Sequence, residues 1–149
     1  MTPDHALLDR RGRTRLHGVG VSASEVIGEY LAAMERGDRA AAVAFYADDV
    51  VMHVPGRSEF AGARRGREAV LAYLRAAVEL AEGGVEVELV DVLAGDGDRV
   101  ALLLRERLLG ARGELVLRRA NVYTVRDGRI AEIRIFEHDQ YAVDAYLER

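Results

Sequence analysis

Residues 30–56 read "YLAAMERGDRAAAVAFYADDVVMHVPG", and the pattern of this stretch changes twice. Val26, Ile27, Tyr30, Leu31 and Met34 recur at helical spacing. Ser22 or Ser24 caps this first helix, and Ser22 has Glu25 three residues on, as in a capping box. "RGD" (36–38) ends it and starts a second helix, with Asp38 as the cap and Ala42, Val43, Phe45 and Tyr46 on the buried side. "VVMHV" (50–54) then switches to a strand, which Pro55 stops because a proline cannot donate to a central ladder.

Downstream, a Gly-rich loop leads to a third helix at Arg67–Glu82, with Val70, Leu71, Leu74, Ala77, Val78 and Ala81 on one side. Gly83-Gly84 terminates it. From there the period becomes two. Strands are expected at Val85–Leu93, Arg99–Leu109, Glu114–Val125 and Arg129–Glu137, separated by the turns "GDGD" (95–98), "GARG" (110–113) and "RDG" (126–128). "GDGDR" lacks the strand-to-helix context of a phosphate loop and reads as a hairpin turn. A last amphipathic segment, "DQYAVDAYL" (139–147), closes the chain. Helices grouped early and a meander late indicate an α+β domain. Its curved, mostly antiparallel sheet, closed on one side by three N-terminal helices, makes a cone and therefore a pocket.

At 149 residues the chain is read as a single domain over 22–149 with a flexible extension at 1–21. A basic arm reaching over a partner subunit is the alternative for the extension. The net charge of -4 and a pI near 5.6 argue against a nucleic-acid binder. No apolar run approaches the roughly 18–20 residues of a membrane span, and no apolar secretion core is present, so a cytoplasmic location is expected. Cysteine is absent, which excludes disulfides and thiolate chemistry. All 21 basic side chains are arginine, which excludes Schiff-base catalysis. None of the four histidines has metal-ligand spacing, so neither a metal nor a cofactor is expected.

Three stretches carry a resemblance: the one quoted above, "GARRGREAVLAYL" (62–74) and "VYTVRDGRIAEIRIFEHD" (122–139). Together they resemble the SnoaL-like branch of the nuclear transport factor 2-like superfamily, a cystatin-like α+β barrel, over about residues 22–148. That superfamily includes ketosteroid isomerases, polyketide cyclases and limonene epoxide hydrolase. The same cone hosts unrelated chemistries and non-catalytic binders. The isomerases' general-base aspartate falls at Val54, so that base is missing. The epoxide hydrolases' tyrosine and asparagine fall at Met52 and Val54, which argues against epoxide hydrolysis. The isomerases' second acid falls near Asn121, which can donate a hydrogen bond. The cyclases' acid–base aspartate falls near His138, and histidine titrates near neutral pH.

Strand parity supplies an independent set of candidates. Val100, Leu102, Leu104, Glu106 and Leu108 form an apolar stripe broken only by Glu106. A lone carboxylate there is costly to ionise unless paired, so Glu106 is either an acid–base group, an acid at the pocket mouth, or one bonded to Arg105 or Arg119. Asp91 is the analogous acid of the preceding strand, nearer its solvated end. Arg119, Asn121 and Tyr123 share one face of the next strand. Asn121 and Tyr123 suit a ligand carbonyl, and Arg119 suits either Glu106 or a substrate carboxylate. On the last strand Glu132, Arg134, Phe136 and His138 share a face that looks either into the pocket or toward a partner subunit. Met52 and Val54 are expected to face the cone, which turns His53 away from it, although His53 stays among the ligand-binding candidates. Tyr30, Tyr46 and Tyr73 are core or pocket wall.

The expected activity is cofactor-independent acid–base chemistry on a hydrophobic, oxygenated, polyketide- or steroid-like small molecule: isomerisation, cyclisation or dehydration. His138, Glu106 and Asn121 are the catalytic candidates. Met52, Val54, Tyr123, Arg134, Phe136, Tyr30, Tyr46, Tyr73, His53 and Arg119 are the substrate-binding ones. The alternative is a non-catalytic ligand-binding or dimerisation module. A homodimer through the outer sheet face is expected because the open face holding Ile133 and Ile135 needs cover.

Overall fold

A computed structural model describes residues 7–8, 14–15, 21–82 and 84–148. Two short strands, β1 (Leu7–Leu8) and β2 (Thr14–Arg15), pair antiparallel. The expectation of a flexible 1–21 otherwise falls on residues outside those described. Three helices and a strand pair follow: α1 (Ala23–Glu35), α2 (Arg39–Ala44), β3 (Tyr46–Val54), β4 (Gly62–Arg65) and α3 (Arg67–Leu80). The meander is β5 (Val85–Ala94), β6 (Arg99–Gly110), β7 (Gly113–Arg126) and β8 (Arg129–Glu137), and α4 (Gln140–Leu147) closes the chain.

The caps fall where the side chains dictate. The Ser22 hydroxyl accepts from the Glu25 backbone N–H at 3.2 Å, and Asp38 accepts from the Ala41 N–H at 3.1 Å. Each satisfies one of the donors that a helix start leaves unpaired. Asp139 does the same for α4, accepting from Ala142 N–H at 3.0 Å.

The six-stranded sheet has the order β4-β3-β8-β7-β6-β5, with β3 and β8 parallel and every other neighbour antiparallel. Two elements differ from the sequence reading. Tyr46 begins β3 rather than ending the second helix, and the stretch read as a Gly-rich loop contains β4, which pairs Val51–Val54 with Gly62–Arg65. "GARR" has no apolar alternation, so nothing in its composition announces a strand.

Cross-strand partners share a face, which fixes the inside of the sheet. Met52, Ile133, Tyr123 and Val100 form one inner row. Ile135, Asn121 and Leu102 form the next, followed by Glu137, Arg119 and Leu104. All residues of the first row are buried, and Ile27 of α1 and Val70 of α3 pack fully buried in the same core. Helix α1 lies on β6 and β7, and α3 on β3 and β4. Ile133 and Ile135 are therefore core residues and not an open face awaiting cover. β5 is different: all ten of its residues are exposed.

Helix α4 is drawn tight against the loop after β3. Gly56 has φ +99°, and a Cβ added there would collide with the Asp144 and Gln140 side chains. Asp144 is buried and accepts from the Arg57 backbone N–H at 3.2 Å and from Gln140 Nε2 at 3.2 Å. The contact thus needs glycine both for its backbone angle and for the closeness of α4.

Candidate functional site

The inner rows turn polar toward the end of the cone covered by α4. There Val54, Pro55, Ser58, Phe60, Tyr73, Glu106, Leu117, Arg119, Glu137, Val143 and Leu147 are among the residues that wall a cleft. At its centre the Arg119 guanidinium stands between two carboxylates. Nη1 lies 3.5 Å from Glu106 Oε2, and Nη2 donates to Glu137 Oε1. The three side chains are only 12%, 15% and 4% exposed for Arg119, Glu106 and Glu137.

Two negative charges share one positive charge here, in surroundings poor in water. Ionising both acids leaves an uncompensated buried charge, which is expensive. Burial raises the pKa of the Glu137 carboxyl above its ordinary value; Arg119 pulls it back, and the charge of Glu106 pushes it up again. Burial alone would favour neutral Arg119, but Glu106 and Glu137 outweigh it and hold the guanidinium charged. Glu137 Oε2 and Arg119 Nε are buried without a hydrogen-bond partner among the described residues, as is Asn121 Oδ1 in the adjacent row. An acceptor, a donor and a second acceptor are thus left unused close together.

Tyr73 of α3 reaches the same cluster. Burial raises the pKa of its hydroxyl, and Arg119, Glu137 and Glu106 are all near enough to modulate it. Its ring meets Phe60 edge-on, with centroids 6.5 Å apart. The cleft interior is about 70 Å³, whereas pockets that seat drug-sized ligands run to roughly 300–1,000 Å³. As it stands the cleft takes water or a small polar group. Admission of a larger ligand requires its walls, the 55–60 loop and α4, to move.

The sequence-derived candidates divide accordingly. Glu106, Arg119, Val54 and Tyr73 line the cleft, and Asn121 lies one row away. Arg119 is engaged by its own chain's two acids, as the pairing with Glu106 anticipated, and is not free for a substrate carboxylate. Met52 is buried in the core beside Ile133. Tyr30, Tyr46 and Tyr123 belong to the core, where the Tyr30 and Tyr46 hydroxyls share a 2.7 Å hydrogen bond. Burial pushes Tyr46 up to about 12 and Tyr30 and Tyr123 higher still, so all three stay neutral hydroxyls.

His53, Arg134 and Phe136 lie on the outer face, a correction for each of them as a pocket residue. His53 pairs in register with Arg134, and its Nε2 stands 3.8 Å from Glu132 Oε1. Arg134 Nε donates to the same Glu132 oxygen at 2.6 Å. Phe136 is 55% exposed. His138, exposed just past the end of β8, donates its backbone N–H to the Arg118 carbonyl at 2.8 Å and borders a second pocket together with Arg118, Asp139, Leu117, Glu137 and Val143, the last three of which also wall the cleft. The reason is the pleat: with Ile133 and Ile135 inward, Glu132, Arg134 and Phe136 point out.

The residue missed is Glu137. The rule that selected Glu106, a carboxylate breaking an apolar stripe, finds it as soon as the stripe Ile133–Ile135–Glu137 is chosen. Asp91 is exposed, its carboxylate accepting from the Val92 backbone N–H at 2.7 Å. Among the described residues no group of three or more His, Asp or Glu side chains is arranged to hold a metal. No helix among them is long and apolar enough to cross a membrane.

A family model described as SnoaL-like domain matches residues 27–133. The chain belongs to the SnoaL-like family. An uncharacterized protein of Mycobacterium tuberculosis is 34% identical over 122 residues, covering 82% of this chain and 93% of that protein. Bal32a, from a soil-derived mobile gene cassette, has 27% identity and a TM-score of 0.77, over 84% of this chain and 95% of Bal32a. A protein of unknown function with a cystatin-like fold from Xanthomonas campestris has 29% identity and a TM-score of 0.76, over 87% and 100%. The SnoaL-like fold is shared at lower identity by two proteins solved with small molecules. TerC was co-crystallised with polyporic acid (20% identity, TM-score 0.67, over 85% and 98%). A second M. tuberculosis protein is complexed with estradiol-17beta-hemisuccinate (23%, 0.63, over 76% and 92%).

Proposed function

We propose that this SnoaL-like protein is a small-molecule enzyme carrying out cofactor-independent proton transfer on a hydrophobic, oxygenated, polyketide- or steroid-like substrate. The reaction class is isomerisation, cyclisation or dehydration. The observation that supports it is the buried Glu106–Arg119–Glu137 group at a cleft wall. A protonated Glu137 is the general acid, donating to a substrate oxygen as negative charge develops there. Arg119 stabilises that charge without giving up a proton, and Glu106 takes the proton released from carbon. The acid needs a raised pKa to be loaded near neutral pH, and burial beside a second carboxylate supplies the raise. Asn121 and Tyr73 orient the substrate oxygen.

The quinone-like and steroid-like molecules bound by two fold neighbours support the substrate class. They are rigid, largely apolar and oxygenated at their edges, which suits an apolar wall with one polar end. The protein is read as cytoplasmic and as a homodimer through the outer sheet face, where Phe136 and Val116 are exposed.

A hydrophobic cyclic ketone in D₂O tests the chemistry without knowledge of the natural substrate. The wild-type protein is expected to catalyse exchange of the α-protons, read by mass spectrometry, and Glu137→Gln to lose that exchange while remaining folded. Thermal stabilisation by the ketone without exchange would instead support the second reading, a non-catalytic binder.

A further inference from the structure

The second pocket is larger than the cleft, about 190 Å³ against about 70 Å³, and the proton transfer described above leaves it without a task. Leu117, Glu137 and Val143 line both spaces, so one layer of side chains divides them. The pocket exists because β8 stops at Glu137, the partner of Arg119. The stretch of β7 before Arg119 has no β8 beside it, and the start of α4 lies there instead, with Ala142 and Val143. Val116, Leu117, Ala142 and Val143 make one part of the wall apolar, and the exposed Arg118, His138 and Asp139 make the rest polar.

The charge on this polar side is poorly balanced. Arg118 stands directly across the strands from Arg105, and like charges so placed repel. Arg105 has Glu88 at 3.6 Å, whereas among the described residues Arg118 has no ion-pair partner. The N-terminus of α4 adds a partial positive charge. Asp139 opposes it, but its Oδ1 is occupied as the α4 cap, accepting from the Ala142 N–H at 3.0 Å. A separate observation points to a ligand. The Glu137 side chain is only 4% exposed, its Oε1 accepts from Arg119, and its Oε2 is buried without a hydrogen-bond partner among the described residues. With Oε1 facing a guanidinium, a proton on this carboxyl belongs on Oε2, where it can be donated.

We propose that the second pocket seats the carboxylate of a keto-acid substrate on Arg118, His138 and the start of α4, while the substrate's carbonyl lies at Glu137. The inference rests on the proton-transfer reading and narrows its substrate class to hydrophobic ketones that carry an acid. A planar carboxylate suits the fork of an arginine, and the nearby acids Asp139 and Glu137 disfavour the doubled charge of a phosphate.

Two probes that differ at one end test it: 3-(4-oxocyclohexyl)propanoate has a carboxylate where 4-propylcyclohexanone has a methyl group. Titration calorimetry at low ionic strength should show the acid binding at least tenfold more tightly. Arg118→Gln should erase that preference. It relieves the repulsion with Arg105 and is expected to fold; should it not, His138→Gln carries the same test. Arg75→Gln, which removes an equal charge from an exposed position on α3, should keep the preference. Equal affinities for the two probes, no binding of either, or a preference that survives the change in the pocket would overturn the proposal. Exchange of α-protons, followed on the same samples, separates the two readings. Exchange of both probes at equal affinity removes the acid site and leaves the proton transfer standing. Preferential binding of the acid without exchange does the reverse.

Discussion

Strands β5 to β8 carry two Glu–Arg–Glu groups of the same composition in opposite surroundings. Inside the cone, Arg119 stands between Glu106 and Glu137, all three nearly buried. On the outer face, Arg107 donates from Nε to Glu114 at 2.7 Å and lies 3.4 Å from Glu86. There the acid behaves in the opposite way: the hydrogen bond from Arg107 lowers the Glu114 carboxyl below its ordinary value, whereas burial raises Glu137. The same three side chain types make a solvated ion network in one place and a buried, desolvated one in the other. Access of water is the variable that separates them.

The sharpest way to break this comparison is to remove the two arginines in turn. Arg119→Met should destabilise the fold by about 3 kcal/mol, because it strands two carboxylates away from water. Arg107→Met should leave the denaturation midpoint where it was, because exposed pairs contribute little. Urea denaturation of both variants decides it, and equal midpoint shifts would sink the distinction.

Next in size is the effect on turnover. Glu137→Gln should lower α-proton exchange by about 100-fold or more, the usual contribution of a positioned acid, and Glu114→Gln should leave it unchanged. The triple change Glu106→Leu, Arg119→Met, Glu137→Leu should abolish exchange yet match or exceed the wild-type stability, since apolar replacements of a buried ion cluster commonly do. A triple variant less stable than Arg119→Met alone would contradict that.

A subtler distinction is in pH dependence. A carboxyl whose folded pKa is raised holds its proton longer in the native state. Its contribution to stability is therefore full below the ordinary carboxylate range and is lost as pH rises through the folded value. Glu114 has the opposite sign, contributing above the ordinary range and losing that contribution as pH falls through its lowered value. Chemical denaturation from pH 4 to 8 should show wild type losing stability relative to Glu137→Gln as pH rises. Glu114→Gln should differ from wild type only slightly near neutral pH, and that difference should shrink as pH falls.

The smallest expected effect is at the wall of the cluster. Gly56→Ala should destabilise by about 1–3 kcal/mol through its positive φ and its collision with Asp144. It should also loosen α4, which hydrogen exchange of residues 140–147 would show.

Much of this architecture was legible in advance, and the parts that were not have physical reasons. The caps Asp38 and Ser22 act on their own neighbours, so the sequence locates Asp38 and narrows the first cap to Ser22 or Ser24; Asp139, the cap of α4, was not singled out. The turns at 95–98, 110–113 and 126–128 locate the meander for the same reason. The Glu106–Arg119 pairing was one of the alternatives that alternation on β6 and β7 allowed, because few polar residues interrupt their otherwise apolar inner stripes. β8 is harder, because Ile133 and Ile135 on one face compete with Phe136 on the other. Which of them is inside depends on the parallel pairing with β3 and on the register shift near Thr124–Val125. With the parity of β8 left open, the resemblance to the cyclases put His138 forward and Glu137 went unnoticed. The valines and leucines of β5 carry the signature of a half-buried strand. Alternation describes a strand's two faces without saying whether a helix covers either.

The central claim is that burial makes Glu137 a proton donor where exposure leaves Glu114 a simple anion. Carboxyl ¹³C NMR titration of glutamate-labelled protein, assigned with Glu137→Gln and Glu114→Gln, measures both groups in one sample. The account predicts that Glu137 titrates above the ordinary glutamate range and Glu114 below it. A Glu137 that titrates at or below Glu114 would contradict it.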